Sequence, residues 1–274
     1  MKGIRFSGVV ESIVFVSLCV AVPFVSFAAV APYMTTAPVS FYADQGMVAP
    51  TIDGFIDAEE WRFSPNSSGA SGSYWYVRWD YEWDYEGVLQ TGVVESIKPD
   101  DMPFDTSDCS YEVYSIYDDE YLYLAVSVTD DWISTNDADP ESEDGQTWND
   151  DSVEIFIDGD YSRFDTPLTQ ASADDQAREF ATGGQFVLTA NNARRDKEAG
   201  DPEFGENGDW YGRVEWTDTG YEAEFKIKLS KIGNPTKGSK IGFNIAVNDD
   251  DDDTTARYQM RWAGEAHRES TYGT

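Results

Sequence analysis

Apolar and polar residues alternate with a period of two along most of the second half of the chain. In "YEAEFKIKL", Tyr221, Ala223, Phe225, Ile227 and Leu229 fall on one side, and Glu222, Glu224, Lys226 and Lys228 on the other. That period places successive side chains on opposite faces of a strand. "YLYLAVSV" lines up Leu122, Leu124, Val126 and Val128 in the same way, and "SVEIFID" sets Val153, Ile155 and Ile157 against Glu154, Phe156 and Asp158. "YEVYSIY", "GQFVLTA", "WYGRVEW", "KIGFNIAV" and "ARYQMRW" read as further strands, rich in β-branched and aromatic residues. Asp118-Asp119-Glu120 and Asp218-Thr219-Gly220 are tight hairpin turns. Long helical periodicity is absent, although residues 171–180 admit a short helix. Many short strands at near-regular spacing predict an all-β fold, an antiparallel β-sandwich of two sheets with jelly-roll or immunoglobulin-like architecture.

The N-terminal part is built differently. Lys2 and Arg5 precede an apolar run from Ile13 to Val25, and Ser26-Phe27-Ala28 offers a small-x-small cleavage site. Residues 1–28 therefore read as an export signal. The alternative is an uncleaved anchor, since residues 12–31 approach the roughly 20 needed to span a bilayer. Pro23 and the small-residue end favour cleavage. The expected location is secreted, extracellular or at the cell surface, with the periplasm as a variant, and no membrane insertion after cleavage. Residues 29–47 are rich in Ala, Pro, Thr and Ser and read as a linker or mobile arm. The folded part is expected over 48–274. It opens with a turn at Asp53-Gly54, a helix cap at Asp57 with Glu60 three residues on, and Trp61 as a core plug. Trp75, Trp79 and Trp83, spaced by four, form a strip that is either core or a contact surface.

Charge narrows the partners. The 274 residues carry 52 acids against 19 Lys and Arg, a formal net charge of −33. Such a chain repels nucleic acid and anionic lipid surfaces. Cations, calcium in particular, and neutral sugars remain, together with self-association. Cys19 lies in the signal, which leaves Cys109 alone in the mature chain and allows no internal disulfide. His267 is the only histidine, so a His/Cys zinc site is excluded and a nucleophilic triad is poorly supported. A glycosidase needs two carboxylates at a set separation, and 52 acids do not single out a pair.

Acid clusters fall in the loops between strands, at 130–131, 137–144, 149–151, 158–160, 174–175 and 248–253. Calcium takes six to eight hard oxygens, and these loops supply them. Asp158, Asp160, Asp174, Asp175, Asp249 and Asp250 are the candidate ligands; the alternative is that they are solvated turns. Trp148 and Glu154 pair a flat ring, on which a pyranose stacks, with a carboxylate that accepts from hydroxyls. The alternative for Trp148 is core packing at a strand edge.

"IDGFIDAEEW", "YLYLAVSVTDDW", "WNDDSVEIFIDGD", "GYEAEFKIKLS", "IGFNIAVNDDD" and "RYQMRW" occur in the order found in the family 9 carbohydrate-binding modules. The chain resembles that family over residues 48–274. The resemblance implies a β-sandwich related to the DOMON domains, with bound calcium and no catalysis. Members clasp the reducing end of a glucan or xylan chain between two tryptophans. By that resemblance Trp148 is the first of the two, Glu154 a sugar-contacting acid, and Gln185 a further polar contact. The arginine expected two positions on is Val187 here. The second tryptophan should lie within "AGEAHREST", where His267 is the only ring. The expected function is thus a secreted, calcium-stabilised sugar-binding module for glucan- or xylan-type chains. The alternatives are a structural or adhesive surface protein that keeps the fold without the clasp and, below it, a glycan-active enzyme.

Overall fold

A computed structural model describes residues 44–45, 49–57, 60–61, 74–78, 93–96, 108–143, 145–251, 258–262 and 265–273. The expected signal over 1–28, most of the arm, and Trp79 and Trp83 lie outside these. In chain order the strands are β1 (Asp44–Gln45), β2 (Tyr74–Arg78), β3 (Val93–Ser96), β4 (Cys109–Tyr117), β5 (Tyr121–Asp130) and β6 (Ser152–Asp158). After α1 (Ala173–Glu179) follow β7 (Gly183–Thr189), β8 (Arg194–Arg195), β9 (Trp210–Thr217), β10 (Gly220–Lys228), β11 (Gly242–Asp249) and β12 (Tyr258–Arg261). Among the described residues no helix is long and apolar enough to cross a membrane.

The strands form two sheets. The first runs β1-β4-β5-β10-β9, with β2 also paired to β4; the second runs β3-β12-β11-β6-β7-β8. Every pairing is antiparallel except β1 with β4. The alternation fixes which face packs. Leu122, Leu124, Val126 and Val128 of β5 and Tyr221, Ala223, Phe225 and Ile227 of β10 meet Val153, Ile155 and Ile157 of β6 in one buried cluster. Gly212 shows how close the sheets come. A Cβ there would lie 2.4 Å from Cδ1 of Leu188 on the opposite sheet. Both expected hairpins form, β4–β5 around 118–120 and β9–β10 around 218–219. The short helix is present as α1, with Ser172 Oγ accepting from Asp175 N.

Part of each outer face is covered. Residues 49–61 lie over the first sheet, where Trp61, Ile52 and Ile56 cover Ile116, Tyr123 and Ala125. The helix expected after Asp57 is a single turn, in which Asp57 O accepts from Glu60 N and Trp61 N at 3.1 and 3.0 Å. Glu224 does face outward, as the alternation requires, but it is fully buried under this cover. Its carboxylate accepts from Trp61 Nε1 at 2.7 Å and from the N–H groups of Asp53 and Gly54 at 2.9 Å. Burial raises its pKa to about 7 against the pull of those donors. On the second sheet, residues 265–273 play the same part. Tyr272 and Ala266 pack on Phe156 and Ala246, and Gly273 bridges to Phe243.

Candidate sugar face and acid cluster

The cross-strand register assembles a polar surface on the outer face of the second sheet. Directly opposed residues share a face. One row reads Arg195, Val187, Glu154, Ala246 and Arg261 across β8, β7, β6, β11 and β12. The next rows bring Ser152, Asn248 and Gln259 to one side of Glu154, and Gln185 with Phe156 to the other. Glu154 sits at the centre and is buried. Its Oε2 accepts from Gln185 Nε2 at 2.5 Å, and its Oε1 from Asn248 Nδ2 at 2.5 Å and Gln259 Nε2 at 3.2 Å. Asn248 also donates to Ser152 Oγ at 2.8 Å, and Gln259 to Asn248 Oδ1 at 3.1 Å. Amide donors of three different strands thus hold one carboxylate, a preorganised network of the kind that reads hydroxyls.

Trp148 lies in a short 3-10 turn, Thr147–Asn149, just ahead of β6, and is half-buried. The guanidinium of Arg195 lies over its ring, 5.0 Å from the centroid. Glu198 fixes that arginine through bonds of 2.9 Å from Nε and 2.6 Å from Nη2. His267 takes a left-handed backbone conformation (φ 60°) and sets its ring edge-on to Phe156 at 5.2 Å. Burial lowers its pKa, while the charges of Glu154 and Glu198 pull it up. The four residues expected to touch sugar, Trp148, Glu154, Gln185 and His267, therefore all belong to this side of the second sheet. Asn248, Gln259, Arg195 and Arg261 were not anticipated. The outward phase of β11 and β12, read as carefully as that of β6, points to Asn248, Gln259 and Arg261.

The candidate metal ligands scatter. Asp158 accepts from the N–H groups of Ser162 and Arg163, both at 2.9 Å, and Asp160 from Ser162 N at 3.0 Å, so they shape a turn. Asp174, exposed, and Asp175, partly exposed, lie in the first turn of α1, where Asp175 pairs with Arg178 at 2.8 Å. Asp250 accepts from Ser134 Oγ at 2.9 Å. Of the six, Asp249 alone joins a converging group of carboxylates among the described residues. Oxygens of Asp130, Asp151 and Asp249 all lie within 4.8 Å of one another, and Asp108, Asp131 and Asp251 extend the group at the same spacing.

This cluster sits where the inward phase of each strand runs one step past its last apolar residue: Val128 to Asp130, Val153 back to Asp151, Val247 to Asp249. It closes the mouth of the core between the two sheets. Asp130, Asp151 and Asp249 are 6%, 0% and 1% exposed. Among the described residues, both oxygens of Asp249, Oδ2 of Asp130 and the buried hydroxyl of Tyr221 have no hydrogen-bond partner. Asp151 is engaged, accepting from Ser134 N and, at 2.9 Å, from Asp250 N. Burial, and then the neighbouring acids, push all three carboxyls up, Asp130 to about 7. Buried oxygens without donors, crowded at ligand spacing, are what a hard divalent cation requires. A second group, Glu143, Asp196 and Asp201, differs, because Asp196 is already taken by Trp210 Nε1 at 2.5 Å.

Residues 89–274 match the carbohydrate family 9 binding domain-like family. The chain belongs to that family. As a family 9 domain it is a carbohydrate-binding module and not a catalyst. It is similar to endo-1,4-beta-xylanase A of Thermotoga maritima, with 31% identity over 138 residues, 50% of this chain. The match spans only 11% of that enzyme's length. In fold the domain is similar to a family 9 carbohydrate-binding module of Caldicellulosiruptor kristjanssonii solved with cellotriose, at a TM-score of 0.53 and 18% identity, covering 85% of this chain and 91% of the other. The same organism's module solved with glucose gives a TM-score of 0.52 at 18% identity, covering 85% and 90%. The all-β sandwich read from the strand pattern is thereby borne out.

Proposed function

We propose that the outer face of the second sheet binds the end of a neutral glucan- or xylan-type chain, and that this is the domain's role. The observation that carries this reading is Glu154, a buried carboxylate held by amides from three strands on the same side as Trp148. In this arrangement Trp148 is the stacking platform. Glu154, Gln185, Asn248 and Gln259 exchange hydrogen bonds with ring hydroxyls, and His267 flanks them where the family's second tryptophan is absent. The cellotriose and glucose bound by the family 9 modules of similar fold, and the xylanase relative, support a glycan of this class.

Calcium is the second element of the reading, held by Asp130, Asp151 and Asp249, where it neutralises charge that the buried mouth leaves without donors. The N-terminal basic and apolar run supports export, which brings the domain to extracellular polysaccharide. The adhesive-protein reading is favoured by one observation, the Arg195 guanidinium lying over the ring that sugar would use. Calorimetric titration with cellotriose and xylotriose separates the two. Weak saturable binding, in the millimolar to high micromolar range or about −4 to −6 kcal/mol, supports the module. No heat with either sugar, in protein loaded with calcium, supports the adhesive role.

A further inference from the structure

We propose that the acid cluster and the sugar face are one coupled unit, in which a divalent cation held by Asp130, Asp151 and Asp249 sets the positions of Trp148 and Glu154. The inference rests on the sugar reading above and adds a regulator to it. Its basis is that the two sites occupy opposite faces of the same two strands. Asp151 is the residue before β6. Trp148 stands three residues ahead of it and Glu154 three behind. Asp249 ends β11, and its neighbour Asn248 is the residue that donates to Glu154 and Ser152. Asp151 and Asp249 are thus each adjacent in sequence to a residue of the sugar network, Ser152 and Asn248, pointing the other way.

The turn that carries Trp148 hangs from this junction. Asp150 accepts from the N–H groups of Asp137 and Ala138 at 2.8 and 2.9 Å. Asp151 N donates to Ser134 O at 3.0 Å, while Ser134 N returns a bond to the Asp151 carboxylate. Ser134 Oγ then donates to Asp250. The mouth of the core, the 134–138 segment and the Trp148 turn therefore move as one body. Asp130 belongs to the other sheet, so the cation also ties β5 to the starts and ends of β6 and β11. Without it, like charges at this spacing drive those strand ends apart, and the displacement is passed to Trp148 and to the amides around Glu154. Linkage then makes the effect reciprocal: cation tightens sugar and sugar tightens cation by the same factor.

The test is calorimetry of the mature chain with cellotriose, in calcium, after EDTA, and after calcium is restored, with far-ultraviolet circular dichroism to show that the chelated protein is folded. The expected result is cellotriose affinity about tenfold or more lower in the chelated protein, restored by calcium, with the same factor for calcium in saturating cellotriose. A second readout needs no sugar. Calcium should change tryptophan emission, and the change should be smaller in Trp148→Phe, with Trp132, whose backbone N–H donates to Asp130 at 2.8 Å, supplying the remainder. Asp249→Asn removes one repelling charge without adding bulk, and should lose both the calcium response and the sugar affinity. Equal cellotriose affinity with and without calcium in folded protein, or a calcium signal of the same size in Trp148→Phe as in the parent, overturns the coupling. Absence of cellotriose and xylotriose binding even in calcium, with the Trp148-dependent signal present, overturns the sugar reading and leaves the coupling standing.

Discussion

Asp151 and Glu154 lie three residues apart, both are buried, and their surroundings are opposite. Glu154 faces outward into three amide side chains, and both of its oxygens are met by N–H donors. Asp151 faces the mouth of the core; its oxygens accept from the backbone N–H groups of Ser134 and Asp250, but carboxylate oxygens of Asp130 and Asp249 crowd it within 4.8 Å. The first environment stabilises a negative charge and leaves it able to exchange hydrogen bonds with a hydroxyl. The second penalises the charge and asks for a cation. The same residue chemistry, on one strand path, meets two environments set by what the neighbouring strands place beside it.

The sharpest way to break this contrast is to remove the cation. Loss of a ligand at about 100 times its dissociation constant removes about 2.7 kcal/mol, which for a domain of this size is a melting temperature lower by about 5–10 °C. An unchanged melt on EDTA treatment of protein first shown to contain calcium would remove the distinction between the two environments.

Trp148→Ala acts on the other side of the comparison. It should take cellotriose binding below detection and leave the melting temperature within about 3 °C, since the ring is only half-buried in a turn. Unfolding of the variant would make Trp148 a packing residue instead.

A smaller effect is expected at the far end of β6. Ser162 Oγ lies 2.9 Å from Glu179 Oε2 and 3.0 Å from Glu269 Oε2, one hydroxyl proton for two acids. Burial, then Asp158 and Glu179, raises the Glu269 pKa from 4.5 to about 8. A carboxyl raised in the folded state contributes stability that is complete below pH 4.5 and lost as pH rises through 8. The melting temperature should therefore fall between pH 5 and 8.5, and Glu269→Gln should flatten part of that slope. A slope identical in the variant would assign the titration elsewhere.

The smallest effect serves as the control. Arg213 meets Glu141 at 3.3 Å on the surface, with Glu141 well exposed and Arg213 partly so. Arg213→Ala should change stability by no more than about 0.5 kcal/mol and leave both ligands' affinities untouched. A larger change in either would show that the two sites respond to remote perturbation generally.

Period-two alternation made the sandwich legible: it separated Val153, Ile155 and Ile157 from Glu154, and Tyr221 to Ile227 from Glu222 and Glu224. It did not reveal that the outward residues would be buried. Glu224 is covered by a segment distant in sequence, 49–61, whose own pattern is irregular, and Glu154 is enclosed by amide side chains of β7, β11 and β12. The convergence of Asp130, Asp151 and Asp249 was only partly legible, through Asp249, for a different reason. A count of loop acids weighs Asp158 and Asp175 as heavily as Asp130, because occupation by backbone N–H or by Arg178 leaves no trace in composition. The signal was nevertheless present, since the inward phase of β5, β6 and β11 ends each time on an aspartate.

The stitch at Glu224 has a mechanical consequence. Three donors from residues 53, 54 and 61 converge on one carboxylate of β10, and β10 lies between β5 and β9 rather than at an edge. Tension entering from ahead of residue 49 first meets the two-residue pairing of β1 with β4, and then this carboxylate. Past that point the load passes to a strand paired along both of its edges, by β5 and by β9, rather than to an edge strand.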